Sequence, residues 1–79
     1  MSGGFFDYNQ YRINEIADQI GGLLSNNPYG YSPETLDEFR TAVRALQIAR
    51  IYAQRIDWLV CDDDGEATFH TRLRQDLEE

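Results

Sequence analysis

Between Pro33 and Gly65 the chain contains neither glycine nor proline, and the stretch is rich in Ala, Leu, Arg and Gln, residues that cost an α-helix little. One helix is therefore predicted from Pro33 to about Val60, roughly 42 Å long at 1.5 Å per residue. Ser32 as N-cap, proline at N1 and Glu34 in the first turn mark its start. In a chain of 79 residues the remainder has to be laid along such an element. Leu36, Phe39, Val43, Leu46, Ala49, Ala53, Ile56 and Val60 form its main apolar stripe. Ile48, Ile51, Tyr52, Trp58 and Leu59 spread apolar surface round most of its second half, more than one short partner helix covers. A homo-oligomer is expected, with Ile51 and Leu59 in the contact and Gln47 outside it.

Upstream, residues 1–4 read as a flexible leader, and Phe6 is expected to pack. Asp7 with Gln10 three residues on reads as an N-cap and capping-box partner, with Phe6 and Tyr11 at the hydrophobic-staple positions, so a helix is predicted from Tyr8. Ile13, Ile16, Ala17, Ile20, Leu23 and Leu24 recur at spacings of three and four and form its inner stripe, with Asn9, Arg12, Glu15 and Gln19 facing away. Gly21-Gly22 is expected to mark close approach of another helix. The loop from Ser25 to Tyr31 is dense in turn formers and too short to divide two cores. Downstream, Asp64 or Gly65 is placed to cap a third helix carrying Phe69, Leu73 and Leu77 on one face. The fold class is all-α: residues 1–79 form a single helical domain, a hairpin of two longer helices with a short C-terminal helix folded back.

Seven arginines, no lysine and fourteen acids give a net charge of −7. This balance argues against binding duplex nucleic acid or an anionic membrane surface, both of which need a basic face. No apolar run approaches the ~20 residues of a membrane span. The single cysteine, Cys61, has no internal partner, and no secretory leader is recognisable, so a cytoplasmic setting is expected.

The residues assemble no reaction. Asp62-Asp63-Asp64-Gly65-Glu66 fails the calcium-loop register, since glycine at position six puts Val60 at position one. Cys61 and His70 lack a third group to orient the histidine, one cysteine and one histidine do not make a zinc site, and no phosphate-binding glycine loop follows Gly21-Gly22. No enzymatic activity and no cofactor are expected. Two clusters are better candidates. Tyr8, Tyr11 and Arg12, with Phe5 and Phe6 beside them and Tyr29 and Tyr31 in the loop, have the aromatic-plus-arginine composition of binding hot spots and of base-stacking platforms. Arg50, Arg55, Asp57 and Trp58, with Arg72 and Arg74, form either internal ion pairs or an arginine-lined pocket for a small anion. The acidic residues Asp62, Asp63 and Asp64 offer a third contact surface.

The segments Phe5-Phe6-Asp7-Tyr8-Asn9-Gln10-Tyr11-Arg12-Ile13 and Tyr52-Ala53-Gln54-Arg55-Ile56-Asp57-Trp58-Leu59, with the tail Asp63-Asp64-Gly65-Glu66, Phe69-His70 and Leu73, resemble small uncharacterised proteins of tailed phages and prophages of Gram-negative bacteria. The resemblance spans Phe5 to Leu77 and carries no catalytic residue with it. It implies a cytoplasmic host setting and an accessory role: stoichiometric inhibition of a host protein, foremost in an antiviral defence system. The alternative it implies is an oligomeric sponge for a cyclic-nucleotide immune signal.

Overall fold

The computed structural model describes residues 4–61 and 64–78, and every regular element among them is an α-helix: α1 (Gln10–Asn26), α2 (Pro33–Val60) and α3 (Glu66–Leu77). α2 begins and ends where its composition says it should. The Ser32 backbone is extended and its Oγ accepts from the Thr35 N–H at 3.4 Å, with Pro33 at N1. Gly65 is the N-cap of α3. The Asp64 carboxylate accepts from the Gly65 N–H at 3.1 Å and from the Thr68 hydroxyl, and a glycine with no side chain of its own is capped by its neighbour. At the end of α1, Asn27 takes the left-handed conformation at φ 40° and donates its N–H to Leu23 O at 2.8 Å. Its side chain then brackets Tyr31, accepting from the N–H at 2.9 Å and donating to the carbonyl at 3.2 Å, which closes the loop into α2.

The start of α1 differs from expectation. Asp7 and Tyr8 both adopt left-handed backbone, at φ 53° and 61°, so neither belongs to the helix. Asn9 is the cap position and makes no side-chain cap bond, and Gln10 is the first helical residue. Gln10 does not reach back to complete a capping box; its side chain is buried and turned towards α2.

α1 and α2 form the hairpin and α3 folds back on α2, but α1 and α3 do not meet. Asp57, which bonds to α1, and Arg55, which bonds to α3, stand two residues apart, about 200° around α2 at 3.6 residues per turn. The three helices therefore lie side by side in one slab, 47 × 24 × 12 Å across the Cα atoms. Its radius of gyration, 15.3 Å, exceeds the roughly 12 Å of a compact domain of this length. A slab one helix deep has no interior layer. Ala17 is the one buried apolar side chain among the described residues, while Gln10, Gln54 and Asp57 are buried polar ones. Ile16, Ala49 and Val60, all expected on core stripes, are exposed. Among the described residues no helix is long and apolar enough to cross a membrane.

Gly21 and Gly22 also depart from expectation, because a Cβ at either would meet nothing within 4 Å. No second helix backbone approaches there. Both are helical without positive φ. Gly21→Ala and Gly22→Ala are each expected to stabilise the protein by about 0.5–1 kcal/mol by restricting the unfolded chain, read as a rise in urea midpoint at unchanged slope. A fall in midpoint for either variant contradicts the open surroundings.

Candidate functional site

The most elaborate polar arrangement lies where the segment before α1 meets the end of α2. Asp57 is completely buried. Its Oδ1 accepts from the Phe5 N–H at 2.7 Å, and its Oδ2 accepts from the Gly4 N–H at 3.1 Å and from Gln10 Nε2 at 3.0 Å. Gln10 Nε2 also donates to Gln54 Oε1 at 3.1 Å, and Cys61 Sγ lies 3.8 Å from Asp57 Oδ1. Among the described residues no basic side chain pairs with Asp57; amide donors satisfy it instead, and such charge-assisted bonds are the stronger kind. Presenting successive N–H groups to one carboxylate bends the chain, which Gly4 accommodates at φ 98°.

This anchor holds the Phe5-to-Tyr11 segment with its rings outwards. Phe5 is 61% exposed, Tyr8 51% and Tyr11 52%. The Tyr8 and Tyr11 rings stack at 6.2 Å between centroids and 17° between planes, and Phe5 meets Phe6 edge to face at 5.0 Å. Behind the rings lies a shallow groove of about 490 Å³ lined by Phe5, Phe6, Ile13 and Ala53. Arg12 is exposed in the first turn of α1, next in the chain to Tyr11. The left-handed Asp7 and Tyr8 are unusual backbone for residues with side chains, and they persist because the Asp57 anchor fixes both ends of the turn.

Tyr29 and Tyr31 do not join this patch. They sit at the far end of α1, roughly 25 Å away along a helix of 17 residues. There they contact each other at 5.6 Å, and Tyr31 meets Phe39 edge-on at 5.7 Å. The single aromatic surface expected from sequence is thus two separate clusters.

The arginine cluster has a definite place as well. A cleft of about 470 Å³ runs along α2 between α1 and α3, with Arg44, Arg50, Arg55, Asn14, Trp58 and Asp76 on its walls. Arg55 Nε pairs with Asp76 Oδ2 at 2.7 Å and its guanidinium lies 4.8 Å from the centre of the Trp58 ring. Arg44 donates to Leu77 O at 3.2 Å. The Nε of Arg50 is buried with no hydrogen-bond partner. Three of the chain's seven arginines thus converge on a cleft with one acid in its wall. Ile51 lines this cleft too, so it is not on an outer face.

Asp64 serves as the cap of α3, its side chain almost buried and 3.7 Å from Arg72 Nη1. Asp62 and Asp63 lie outside the described residues. His70 is exposed on α3, its ring edge against Phe69. Among the described residues no three His, Cys, Asp or Glu side chains are grouped to hold a metal ion. The pairing of Gln10 with Gln54 has no sign in the sequence, where Gln10 reads as a capping-box partner instead, since two glutamines 44 positions apart share no local pattern. Comparison with known protein families, curated proteins and solved structures finds no match to this chain.

Proposed function

We propose that this chain is a small binding protein that inhibits a host component, foremost one of an antiviral defence system, by stoichiometric protein binding and without catalysis. The observation that supports binding is the rigid presentation of Phe5, Tyr8 and Tyr11, exposed rings on a left-handed turn that a fully buried carboxylate anchors. Exposed aromatic rings already ordered before contact lose little conformational entropy on binding, and aromatic and arginine side chains dominate interface hot spots. The host-defence role rests on the resemblance to phage proteins.

The test is affinity capture by the purified chain from lysate of a Gram-negative host, followed by titration of the captured protein. The parent chain is expected to retain one host protein in a fixed ratio, and Tyr8→Ala and Tyr11→Ala to weaken its binding about thirtyfold each, the scale of a 2 kcal/mol hot spot. Unchanged affinity in both variants, with helical content intact, overturns the placement of the surface; no capture by the parent chain overturns the function.

The arginine cleft favours a second reading, a cyclic-nucleotide sponge. Its support is the convergence of Arg44, Arg50 and Arg55 beside Trp58, with a buried Arg50 Nε that has no partner. Thermal stabilisation by cyclic dinucleotides or trinucleotides, lost in Arg50→Ala, supports it; no shift at millimolar ligand removes it.

A further inference from the structure

Opposite the arginine cleft, the slab has a second open face. At 100° per residue Ala45, Ala49, Tyr52, Ile56 and Val60 fall within an arc of about 80° on α2. Ile56 stands midway between Arg55, which bonds to α3, and Asp57, which bonds to α1, so this arc points away from the cleft. Ala45 and Ala49 are exposed, Tyr52 is 43% and Val60 47% exposed, and Ile56 is half-buried among them.

The total area shows how much is left uncovered. The chain exposes 5642 Å², against about 4,900 Å² for a folded monomer of 9.2 kDa. The excess, about 700 Å² per chain, is spread over the whole slab, and it is of the size of the ~800 Å² that each partner contributes to an interface of standard size. Charge fits the same arrangement. Two copies bring together a net −7 each, and only a contact zone without acids avoids setting carboxylates face to face; the five stripe residues carry no charge. The two alanines let helix backbones approach closely, with Tyr52, Ile56 and Val60 as knobs beyond them.

We propose that a second copy of this chain occupies this stripe, α2 against α2 about a two-fold axis, so that each copy buries the same residues of the other. The pairing gives the slab the second layer that one chain lacks. It shifts the self-association surface from Ile51 and Leu59 to the stripe centred on Ala49, Tyr52 and Ile56, and it stands independently of the aromatic patch and of any host target.

The experiment is size-exclusion chromatography with light scattering at about 50 µM, where an interface of standard size is largely assembled. The parent chain is expected to have twice the mass of one copy. Tyr52→Asp and Ala49→Glu are expected to have the mass of one copy with helical content unchanged, since both positions are exposed in the single chain. Gln47→Glu on the cleft side and Tyr11→Ala on the aromatic patch are expected to keep the paired mass. A single-copy mass for the parent, a mass above two copies, or a paired mass retained by both stripe variants overturns the proposal. Loss of target binding by Tyr11→Ala with the paired mass intact separates this surface from the proposed function.

Discussion

Replacing Asp57 by alanine is expected to unfold the chain at room temperature or leave it barely folded. The substitution strands three donors: the Gly4 and Phe5 N–H groups and Gln10 Nε2. A buried donor left without a partner costs about 1–3 kcal/mol, less where water reaches it, so the sum is on the order of 3–5 kcal/mol. A chain of this length has only about 4–12 kcal/mol in total, and this one has a single buried apolar side chain among the described residues. The loss therefore takes most of what is available. Asp57→Asn separates hydrogen bonding from the rest: it keeps one acceptor oxygen for the Phe5 N–H, and the Gln10 and Gln54 amides can turn together so that Gln10 Oε1 faces the new NH₂ and their mutual bond survives, which leaves the Gly4 N–H as the one stranded donor. About 1–2 kcal/mol is expected for asparagine. Urea denaturation of the two variants checks both figures, and an alanine variant within 1 kcal/mol of the parent shows that the anchor is not what holds the N-terminal segment.

Leu73→Asp is expected to melt α3 while α1 and α2 stay folded. α3 touches only α2, and its half-buried residues are Phe69, Leu73 and Leu77 with Asp76 beside them. A carboxylate at the centre of that face removes its apolar contact. The Arg55–Asp76 pair and the Arg44–Leu77 bond are partly exposed and do not hold the helix alone. A detached helix of twelve residues is marginal in water, so the whole element is lost as one unit. Circular dichroism is expected to lose about a fifth of its helical amplitude, matching the share of α3 among the helical residues. Hydrogen exchange locates the loss: α3 amides exchange as in a free peptide while those of α1 and α2 stay protected. A uniform loss of protection across all three helices contradicts the independence of α3.

The sequence made legible those elements whose signals are local. Ser32-Pro33-Glu34 and Asp64-Gly65 place the starts of α2 and α3 because an N-cap is a contact within four residues. The start of α1 departs from its local signal for the opposite reason. Asp7 and Gln10 have the spacing of a capping box, but Gln10 is drawn 47 positions away to Asp57 by a buried bond that outweighs a surface one. Ile16, Ala49 and Val60 kept the period of a core stripe, yet periodicity reports which face is apolar and not whether anything covers it. The pairs Arg55–Asp76 and Arg72–Asp64 are the internal ion pairs open to those arginines, and of the two acids only Asp64 stands out in the sequence. The arginine cleft had its residue types but not Arg44, whose contribution depends on where α3 lands. The separation of Tyr29 and Tyr31 from Tyr8 and Tyr11 follows simply from the length of α1.

The anchor at Asp57 also sets an order of events during synthesis. Gly4 and Phe5 leave the ribosome 53 and 52 residues ahead of the carboxylate that will hold them. At about 5–20 residues per second they wait some 3–10 seconds for it. The α1–α2 hairpin has the more local contacts and forms with a shorter loop to close. The segment bearing Phe5, Phe6, Tyr8 and Tyr11 is thus a latch that closes late, and its rings stay unordered until nearly all of α2 has been made. Assembly of the aromatic surface is coupled to completion of the helix that carries Asp57, and a chain interrupted before that residue lacks the surface.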